Sequence, residues 1–231
     1  MSKLYIVATP IGNLEDITFR AINTLKEVDL ILCEDTRVTK KLLNHYNIKT
    51  PTQSYHQHSK INKINHITEL LINGKNIALV SDSGTPGISD PGNMLVKELV
   101  GRIENLKIVP IPGPNAAVLA LSISGFPTDK FVFMGFPPHK NKRNKFFKEV
   151  ASYNYPVVLY ESPHRILKTL KDLEIVGDFE IVVCREMTKM FETIYRGKIS
   201  EIIKQLETGE KRGEFVIIIN PAKDGASGHE K

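Results

Sequence analysis

Residues 76–92, NIALVSDSGTPGISDPG, join a short apolar run to a long loop rich in glycine, proline, serine and aspartate. The run NIALV is apolar on both faces, which predicts a strand buried inside a sheet. The loop at 81–92 has twelve residues, whereas about 2–6 residues suffice to connect a strand to a helix. Glycine lets a ligand approach the backbone, and proline fixes the course of the loop. We therefore predict that this loop binds a ligand; the alternative is an ordinary strand-to-helix connection.

On both sides of this loop, apolar runs alternate with segments of helical periodicity. Besides 76–80, strands are predicted at 4–8, 29–33 and 107–111, and helices at 17–25, 39–45, 60–73, 90–100 and 115–124. Strands that alternate with helices and are apolar on both faces are typical of an α/β fold. The first half of the chain is thus predicted to form a largely parallel sheet covered on both sides.

The pattern changes after the turn at 125–128, GFPT. Strands are predicted at 130–134, 156–160, 180–185, 192–196 and 214–220, and helices near 143–151, 164–173 and 199–206. Several of these strands follow one another with only a turn between them, which predicts a mixed sheet. We therefore predict two α/β domains, residues 1–125 and 126–221, followed by a disordered polar tail at 222–231.

Composition narrows the class of protein. No apolar run among the 231 residues reaches the ~20 needed to cross a membrane, and the first run is too short for a signal peptide. The net charge of +5 permits a polyanionic partner without requiring one. The two cysteines lack any CxxC or Cys/His spacing. They predict buried free thiols, no metal site and a cytoplasmic protein.

Two further loops follow predicted strands: residues 9–16, TPIGNLED, and residues 112–117, PGPNAA. Because loops at the carboxyl ends of parallel strands line the ligand crevice, the three loops are expected to converge. No GxGxxG follows the first strand and no GxxxxGK[ST] occurs, so neither a dinucleotide fold nor a P-loop is supported. Backbone amides, hydroxyls and carboxylates remain, which suit a ligand with ribose, adenine and amino-acid groups.

Seven motifs occur together in order: TPIGNLEDIT, CEDTR, SDSGTPGISDPG, IPGPNA, GFPP, YESPHR and REMTK. With them the chain resembles the tetrapyrrole methylases, and specifically their branch that methylates a cytidine 2′-hydroxyl of small-subunit ribosomal RNA. The resemblance runs from residue 4 to about residue 219. It implies two α/β domains with S-adenosylmethionine in the cleft between them, a homodimer, and ribosomal RNA or the assembled small subunit as substrate.

The resemblance also implies which residues contact the cofactor. They come from the three loops and from two strand ends of the second half: Pro10, Gly12, Ser81, Asp82, Ser83, Gly84, Thr85, Asn115, Ala116, Tyr160 and Cys184. Relatives usually carry a small helical segment after the last strand, where this chain has a polar tail. Any RNA contact made by that segment is left open.

Methyl transfer from S-adenosylmethionine depends more on alignment of the reactants than on reactive protein groups, since a sulfonium methyl is already activated. Holding the attacking oxygen in line contributes ~7–11 kcal/mol, and a general base adds roughly 10²–10⁴-fold. The candidate bases are Asp35, Glu161 and Glu186, because each lies in a motif at a strand end. The alternative role for each is a helix cap or an ion pair with the neighbouring Arg37, Arg165 or Arg185.

Basic residues form two groups. Residues 139–148, HKNKRNKFFK, contain no acid and contribute Lys140, Lys142, Arg143, Lys145 and Lys148. The motif loops contribute Arg37, Lys40, His164, Arg165, Arg185 and Lys189. We predict that these residues contact RNA phosphates, with a merely solvated surface as the alternative.

Two other functions remain open at this point. A methyltransferase of the same fold that acts on a tetrapyrrole would use the Lys and Arg side chains for propionates. A non-catalytic module that binds RNA or a nucleotide is the alternative from a different class. The nucleotide modified, the true base, and the choice between naked RNA and the assembled subunit are also left open.

Overall fold

The computed structural model describes residues 2–56 and 61–221. The chain divides into two compact units, one ending at Asn115 and the other beginning at Ala116. The predicted tail at 222–231 lies outside the described residues. Within the described ranges, no helix is long and apolar enough to span a membrane.

The first unit is built on a parallel sheet of five strands in the order β3-β2-β4-β1-β5. The strands are β1 (Lys3–Val7), β2 (Leu30–Cys33), β3 (Thr52–Ser54), β4 (Ile77–Leu79) and β5 (Lys107–Ile111). The helices are α1 (Phe19–Glu27), α2 (Thr36–His45), α3 (Ile61–Ile72) and α4 (Gly92–Arg102). The predicted parallel sheet is confirmed.

Both faces of this sheet are buried under helices. Because successive side chains along a strand point to opposite faces, each strand contributes to two separate cores. On one face, Ile31 and Ala78 pack with Leu25 of α1 and Leu43 of α2. On the other face, the neighbouring strand residues pack against the apolar sides of α3 and α4: Leu32, Ile77 and Leu79 with Ile67, Leu71, Leu95 and Leu99. The two cores explain why the strands read as continuous apolar runs.

Strand β3 is absent from the sequence prediction. Its residues are Thr-Gln-Ser, which carry no apolar signal, and it lies at the edge of the sheet. It pairs with β2 in parallel, and the pairing extends to its flanking residues, where the Ile31 N–H donates to the Pro51 carbonyl at 2.9 Å and the Tyr55 N–H donates to the Cys33 carbonyl at 2.7 Å. An edge strand exposes much of its surface, so a polar sequence is tolerated there.

The second unit contains a mixed sheet in the order β6-β7-β10-β8-β9. Strands β6 and β7 are parallel and the other neighbours are antiparallel, which confirms the predicted mixed sheet. The strands are β6 (Val132–Gly135), β7 (Val157–Glu161), β8 (Glu180–Arg185), β9 (Thr193–Lys198) and β10 (Phe215–Asn220). The helices are α5 (Ala116–Ser122), α6 (Arg143–Ser152), α7 (Ile166–Val176) and α8 (Ile199–Thr208).

Helix α5 belongs to the second unit, so the division falls before it, not at Gly125. The helix packs against β7 and β10. Just beyond its end, the guanidinium of Arg196 donates to the carbonyls of Ile123 at 2.6 Å and Ser124 at 3.1 Å. These contacts bind α5 to the mixed sheet, whereas the sequence signal for a boundary was the later Gly-Phe-Pro-Thr turn.

Candidate functional site

The three loops after β1, β4 and β5 leave neighbouring strands at the same edge of the first sheet. The first two loops pair directly: the Thr9 N–H donates to the Gly84 carbonyl at 2.9 Å, and the Gly84 N–H donates to the Thr9 carbonyl at 3.1 Å. The second and third loops are joined by the Thr85 hydroxyl, which donates to the Pro114 carbonyl at 3.0 Å. The predicted convergence of the three loops is therefore present.

The loop after β4 is fixed by its own polar side chains. The buried Ser81 hydroxyl donates to the carbonyls of Ser83 and Gly84 at 3.1 and 3.2 Å. Further along, the Asp90 carboxylate accepts from the N–H groups of Gly87 and Gly92, each at 2.7 Å. This leaves Asp82 and Ser83 exposed at the tip and Thr85 half-buried. A loop held internally in this way presents a preformed surface.

Two glycines are required by this geometry. A Cβ atom at Gly113 would lie 2.8 Å from the Cβ of Ala8, which is closer than two side-chain carbons approach. Gly84 has φ +82°, in the left-handed region that favours glycine. The third loop therefore lies directly against the end of β1. Pro10 and Asn115 are half-buried beside these loops, and Gly12 is exposed.

Asp35 begins α2, in the CEDTR motif after β2. Its carboxylate accepts from the Arg37 N–H at 2.8 Å and pairs with the Arg37 guanidinium at 2.6 Å. These hydrogen bonds lower the pKa of Asp35 to about 2. Its own N–H donates to the Asp82 carboxylate at 3.0 Å, which ties α2 to the loop after β4. Both roles that the sequence offered as alternatives, helix cap and partner of Arg37, are thus present.

Glu34 is a residue of this edge that the sequence analysis passed over. It is half-buried, and burial raises its pKa, with a further contribution from the nearby negative charges of Asp90 and Asp82. A carboxyl with a raised pKa is closer to the range useful for proton transfer at neutral pH. Its position in the CEDTR motif, directly before Asp35 and after a predicted strand, was the sequence feature that could have identified it as a candidate.

In the second unit, Tyr160 lies near the start of α5. Its hydroxyl accepts from the Ala117 N–H at 3.2 Å, and its ring contacts those of Phe133 and Phe136 edge to face. Ala116, the first residue of the helix, is half-buried beside it. Cys184 is fully buried in β8, where burial raises its pKa to about 11. Its side chain therefore packs in the interior and offers no exposed sulfur.

Glu161 is buried in a polar network. One oxygen pairs with the Arg165 guanidinium at 2.7 Å, and the other accepts from the Thr169 hydroxyl at 2.6 Å. Arg143 donates to the same hydroxyl at 3.0 Å and pairs with Asp172 at 2.7 Å. Glu161 thus has the ion-pair role that the sequence gave as the alternative to catalysis.

Glu186 lies in the REMTK motif with φ 52°, an uncommon conformation for a residue other than glycine. Its carboxylate accepts from the Glu214 N–H at 2.9 Å and pairs with Lys189 at 2.8 Å. Although burial acts to raise its pKa, these bonds outweigh burial and lower it. A side chain at Gly213 would clash with Glu186, so that glycine admits the carboxylate. The partner is Lys189, not the Arg185 named from the sequence.

The predicted RNA contacts separate by exposure. Arg37, Lys40, Lys140, Lys142, Lys145, Lys148 and His164 are exposed. Arg143 and Arg185 differ from the prediction, because both are buried and donate to backbone carbonyls: Arg143 to Pro138, and Arg185 to Phe191 and Arg212. Arg165 and Lys189 are partly exposed and held by carboxylates. A buried, bonded guanidinium cannot reach a phosphate without breaking these contacts.

The described residues, 2–56 and 61–221, contain no cluster of three His, Cys, Asp or Glu side chains able to hold a metal ion. The ligand chemistry at the edge of the first sheet is that of backbone groups, hydroxyls and Asp82. Such groups suit the ribose and amino-acid portions of a nucleoside ligand. The residues present are therefore compatible with S-adenosylmethionine.

Comparison with known proteins identifies the family. Residues 3–203 match the family described as tetrapyrrole (corrin/porphyrin) methylases. The chain is 48% identical over 221 residues to ribosomal RNA small subunit methyltransferase I of Thermotoga maritima, covering 95% of this chain and 99% of that protein. It is also 48% identical to the protein of the same name from Bacillus subtilis, over 95% of this chain and 75% of that protein.

Solved structures share the fold at low identity. Diphthine synthase superposes with a TM-score of 0.72 at 12% identity, covering 94% of this chain and 90% of that chain. Uroporphyrin-III-C-methyltransferase from Thermus thermophilus gives 0.65 at 16% identity, covering 95% of each chain. Together with the family match, these likenesses identify the parallel and mixed sheets as the two halves of one fold. The chain belongs to the tetrapyrrole methylase family, whose members use S-adenosylmethionine as methyl donor.

Proposed function

We propose that this chain is an S-adenosylmethionine-dependent methyltransferase that acts on ribosomal RNA of the small subunit, at the 2′-hydroxyl of a cytidine. The observation that carries the proposal is the 48% identity over nearly its whole length to ribosomal RNA small subunit methyltransferase I of Thermotoga maritima. The exposed lysines of residues 139–148 support an RNA substrate, because phosphate neutralisation supplies much of RNA affinity.

A tetrapyrrole substrate is less well supported. The uroporphyrin enzyme is only 16% identical to this chain. Similarity at that level supports a shared fold but does not support a shared substrate. The relatives named for ribosomal RNA are 46–49% identical. The 46–49% identity to these methyltransferases also disfavours a non-catalytic module, because the similarity extends across nearly the whole chain.

The methyl donor supplies a sulfonium-activated methyl group when bound, and the protein contributes position. We propose that Pro10, Gly12, residues 81–85 and Asn115 contact it in the first unit, and Ala116 and Tyr160 in the second. The hydrogen bonds between Thr9 and Gly84, and between Thr85 and Pro114, hold the loops of the first unit in place before the ligand binds. Such preorganisation reduces the entropy lost on binding. Cys184 lies level with Tyr160 in the mixed sheet, since both pair with Val216, and we propose that the segment around it completes the contacts of the second unit.

The proposed roles of the three candidate bases follow from their partners. Asp35, with its pKa lowered to about 2, is a weak base at neutral pH and holds Arg37 and the start of α2. Glu161 and Glu186 hold Arg165 and Lys189. We propose that alignment supplies most of the acceleration, because each of these carboxylates is already paired with a cation.

The enzyme is further proposed to be a homodimer and to act in the cytoplasm, where ribosomal subunits mature.

Transfer of labelled methyl groups tests the function directly. Purified protein is incubated with labelled S-adenosylmethionine and either small ribosomal subunits, naked small-subunit RNA, or a porphyrinogen. We expect label in the RNA at a nuclease-resistant 2′-O-methylcytidine, from subunits or naked RNA. Label in the porphyrinogen alone would establish the tetrapyrrole substrate instead, and binding of RNA with no transfer would establish the non-catalytic module.

A further inference from the structure

Residues 136–142, which we call the anchored loop, are held by two arginines of the second unit. The Arg165 guanidinium donates to the Pro137 carbonyl at 3.0 Å, and the Arg143 guanidinium donates to the Pro138 carbonyl at 2.7 Å. Both arginine side chains are largely buried, at 15% and 5% exposed. Two consecutive carbonyls are therefore fixed by charged groups that have little freedom to move.

The arginines are themselves held by acids from other elements. Arg165 pairs with Glu161 at the end of β7, and Arg143 pairs with Asp172 on α7. Thr169 bridges the two halves, since it donates to Glu161 and accepts from Arg143. The course of the anchored loop is thus determined by a buried polar network that reaches two neighbouring elements.

The anchored loop carries an exposed aromatic ring and exposed positive charges. Phe136 is 51% exposed, although its ring rests edge to face on Tyr160 with 5.7 Å between centroids. Lys140 and Lys142 are exposed on the same loop, and residues 139–148 contain no acid. The two acids of the anchoring network, Glu161 and Asp172, are already paired with arginines. The loop therefore combines exposed positive charge with an exposed apolar ring.

We propose that the anchored loop binds a single-stranded segment of RNA, with Phe136 stacked on a nucleobase and Lys140 and Lys142 in contact with adjacent phosphates. Single-stranded RNA is recognised by aromatic stacking combined with basic groups that follow the backbone. A duplex has no unstacked base to offer Phe136. Because the loop is fixed beforehand, little conformational entropy is lost on binding. This inference rests on the proposed function and adds a base-stacking residue to it.

The experiment compares two labelled probes that carry the same number of phosphates. One is a cytidine oligoribonucleotide about ten residues long, and the other is its abasic counterpart. The wild-type protein is expected to bind the cytidine probe about 5- to 150-fold more tightly than the abasic probe. F136A should lose this preference, and F136Y should retain it because tyrosine also stacks. K140Q/K142Q should weaken binding of both probes by similar factors.

I175A is the matched control, since Ile175 is 82% exposed near the far end of α7, and it should bind both probes like the wild type. A preference retained by F136A, or absent from the wild type, overturns the stacking. Unchanged binding of both probes by K140Q/K142Q overturns the phosphate contacts. Methyl transfer by the wild type to small subunits, measured in parallel, separates these outcomes from failure of the proposed function. If the wild type transfers methyl groups to small subunits but F136A still prefers the cytidine probe, the stacking inference is wrong and the proposed function stands.

Discussion

Glu161 and Arg165 form an ion pair across the turn that leads from β7 into α7, with 2.7 Å between the carboxylate and the guanidinium. The Glu161 side chain has no exposed surface. Its second oxygen is bonded by the hydroxyl of Thr169, which also accepts from Arg143. Because a buried charge is costly without partners, the whole set depends on each of its members.

Replacing Thr169 by valine keeps the shape of the side chain and removes both hydrogen bonds. Glu161 and Arg143 would each lose a buried partner, so we expect T169V to lower the free energy of unfolding by about 2–4 kcal/mol. Urea denaturation measures this loss. T208V is the control, since the Thr208 hydroxyl is exposed and bonds only to carbonyls of its own helix. Equal stability of the two variants would show that the network contributes little.

The pKa of Asp35 gives a prediction on pH. A folded-state value of about 2, against the ordinary 3.8, means that the stabilisation is present above pH 3.8 and is lost as the pH falls towards 2. The carboxyl carbon of Asp35, followed by NMR, should titrate near pH 2. In R37Q the midpoint should rise towards the ordinary value. A wild-type midpoint near 3.8 would mean that the Arg37 contact is not populated in solution.

Gly113 and Gly101 form a matched pair of glycines. In G113A the new methyl group would press on Ala8, so we expect a loss of about 1–3 kcal/mol in stability and weaker binding of S-adenosylmethionine. Gly101 has open space around its Cβ position within α4, and G101A should stabilise by about 0.5–1 kcal/mol with unchanged binding. Unfolding curves and calorimetry report both effects. Full affinity in G113A would move the ligand away from this loop.

Both cysteines are predicted to be unreactive in the folded protein. Cys33 and Cys184 are fully buried, and burial raises the pKa of each thiol. Since the thiolate is the reactive form, a disulfide reagent at pH 8 should label neither residue in the native state and both in denaturant. Rapid labelling of one cysteine without denaturant would reveal local opening around its strand.

The exposed lysines are expected to act by displacing counterions. Changing Lys140, Lys142 and Lys145 to glutamine should reduce the log–log slope of RNA binding against salt by up to about 2, at ~0.7 for each phosphate contact. The affinity for S-adenosylmethionine should not change. K204Q, on the exposed side of α8, provides a control with an unaltered slope. A triple variant with the wild-type slope would place the RNA footprint elsewhere, and Arg37 and Lys40 would be the next residues to change.

Much of the fold was predictable because its strands are buried. The apolar runs of β1, β4 and β10 have few alternatives to a strand in a covered sheet, and Gly and Pro mark their ends. The parallel first sheet and the mixed second sheet followed from the spacing of these runs. Strand β3 was not predictable, since Thr-Gln-Ser carries no apolar pattern and pairs with β2 through backbone groups, which every sequence has.

The sequence by itself determined the family, because the motifs are local and their order along the chain is preserved in any conformation. It also determined that loops after β1, β4 and β5 would meet, since parallel strands share one carboxyl edge. Only the tertiary structure decided which charges are available. Arg143 and Lys142 are neighbours in a run of basic residues, yet one is buried against Asp172 and the other is exposed. Burial depends on how α6 packs against α7, and that contact brings together residues far apart in the sequence.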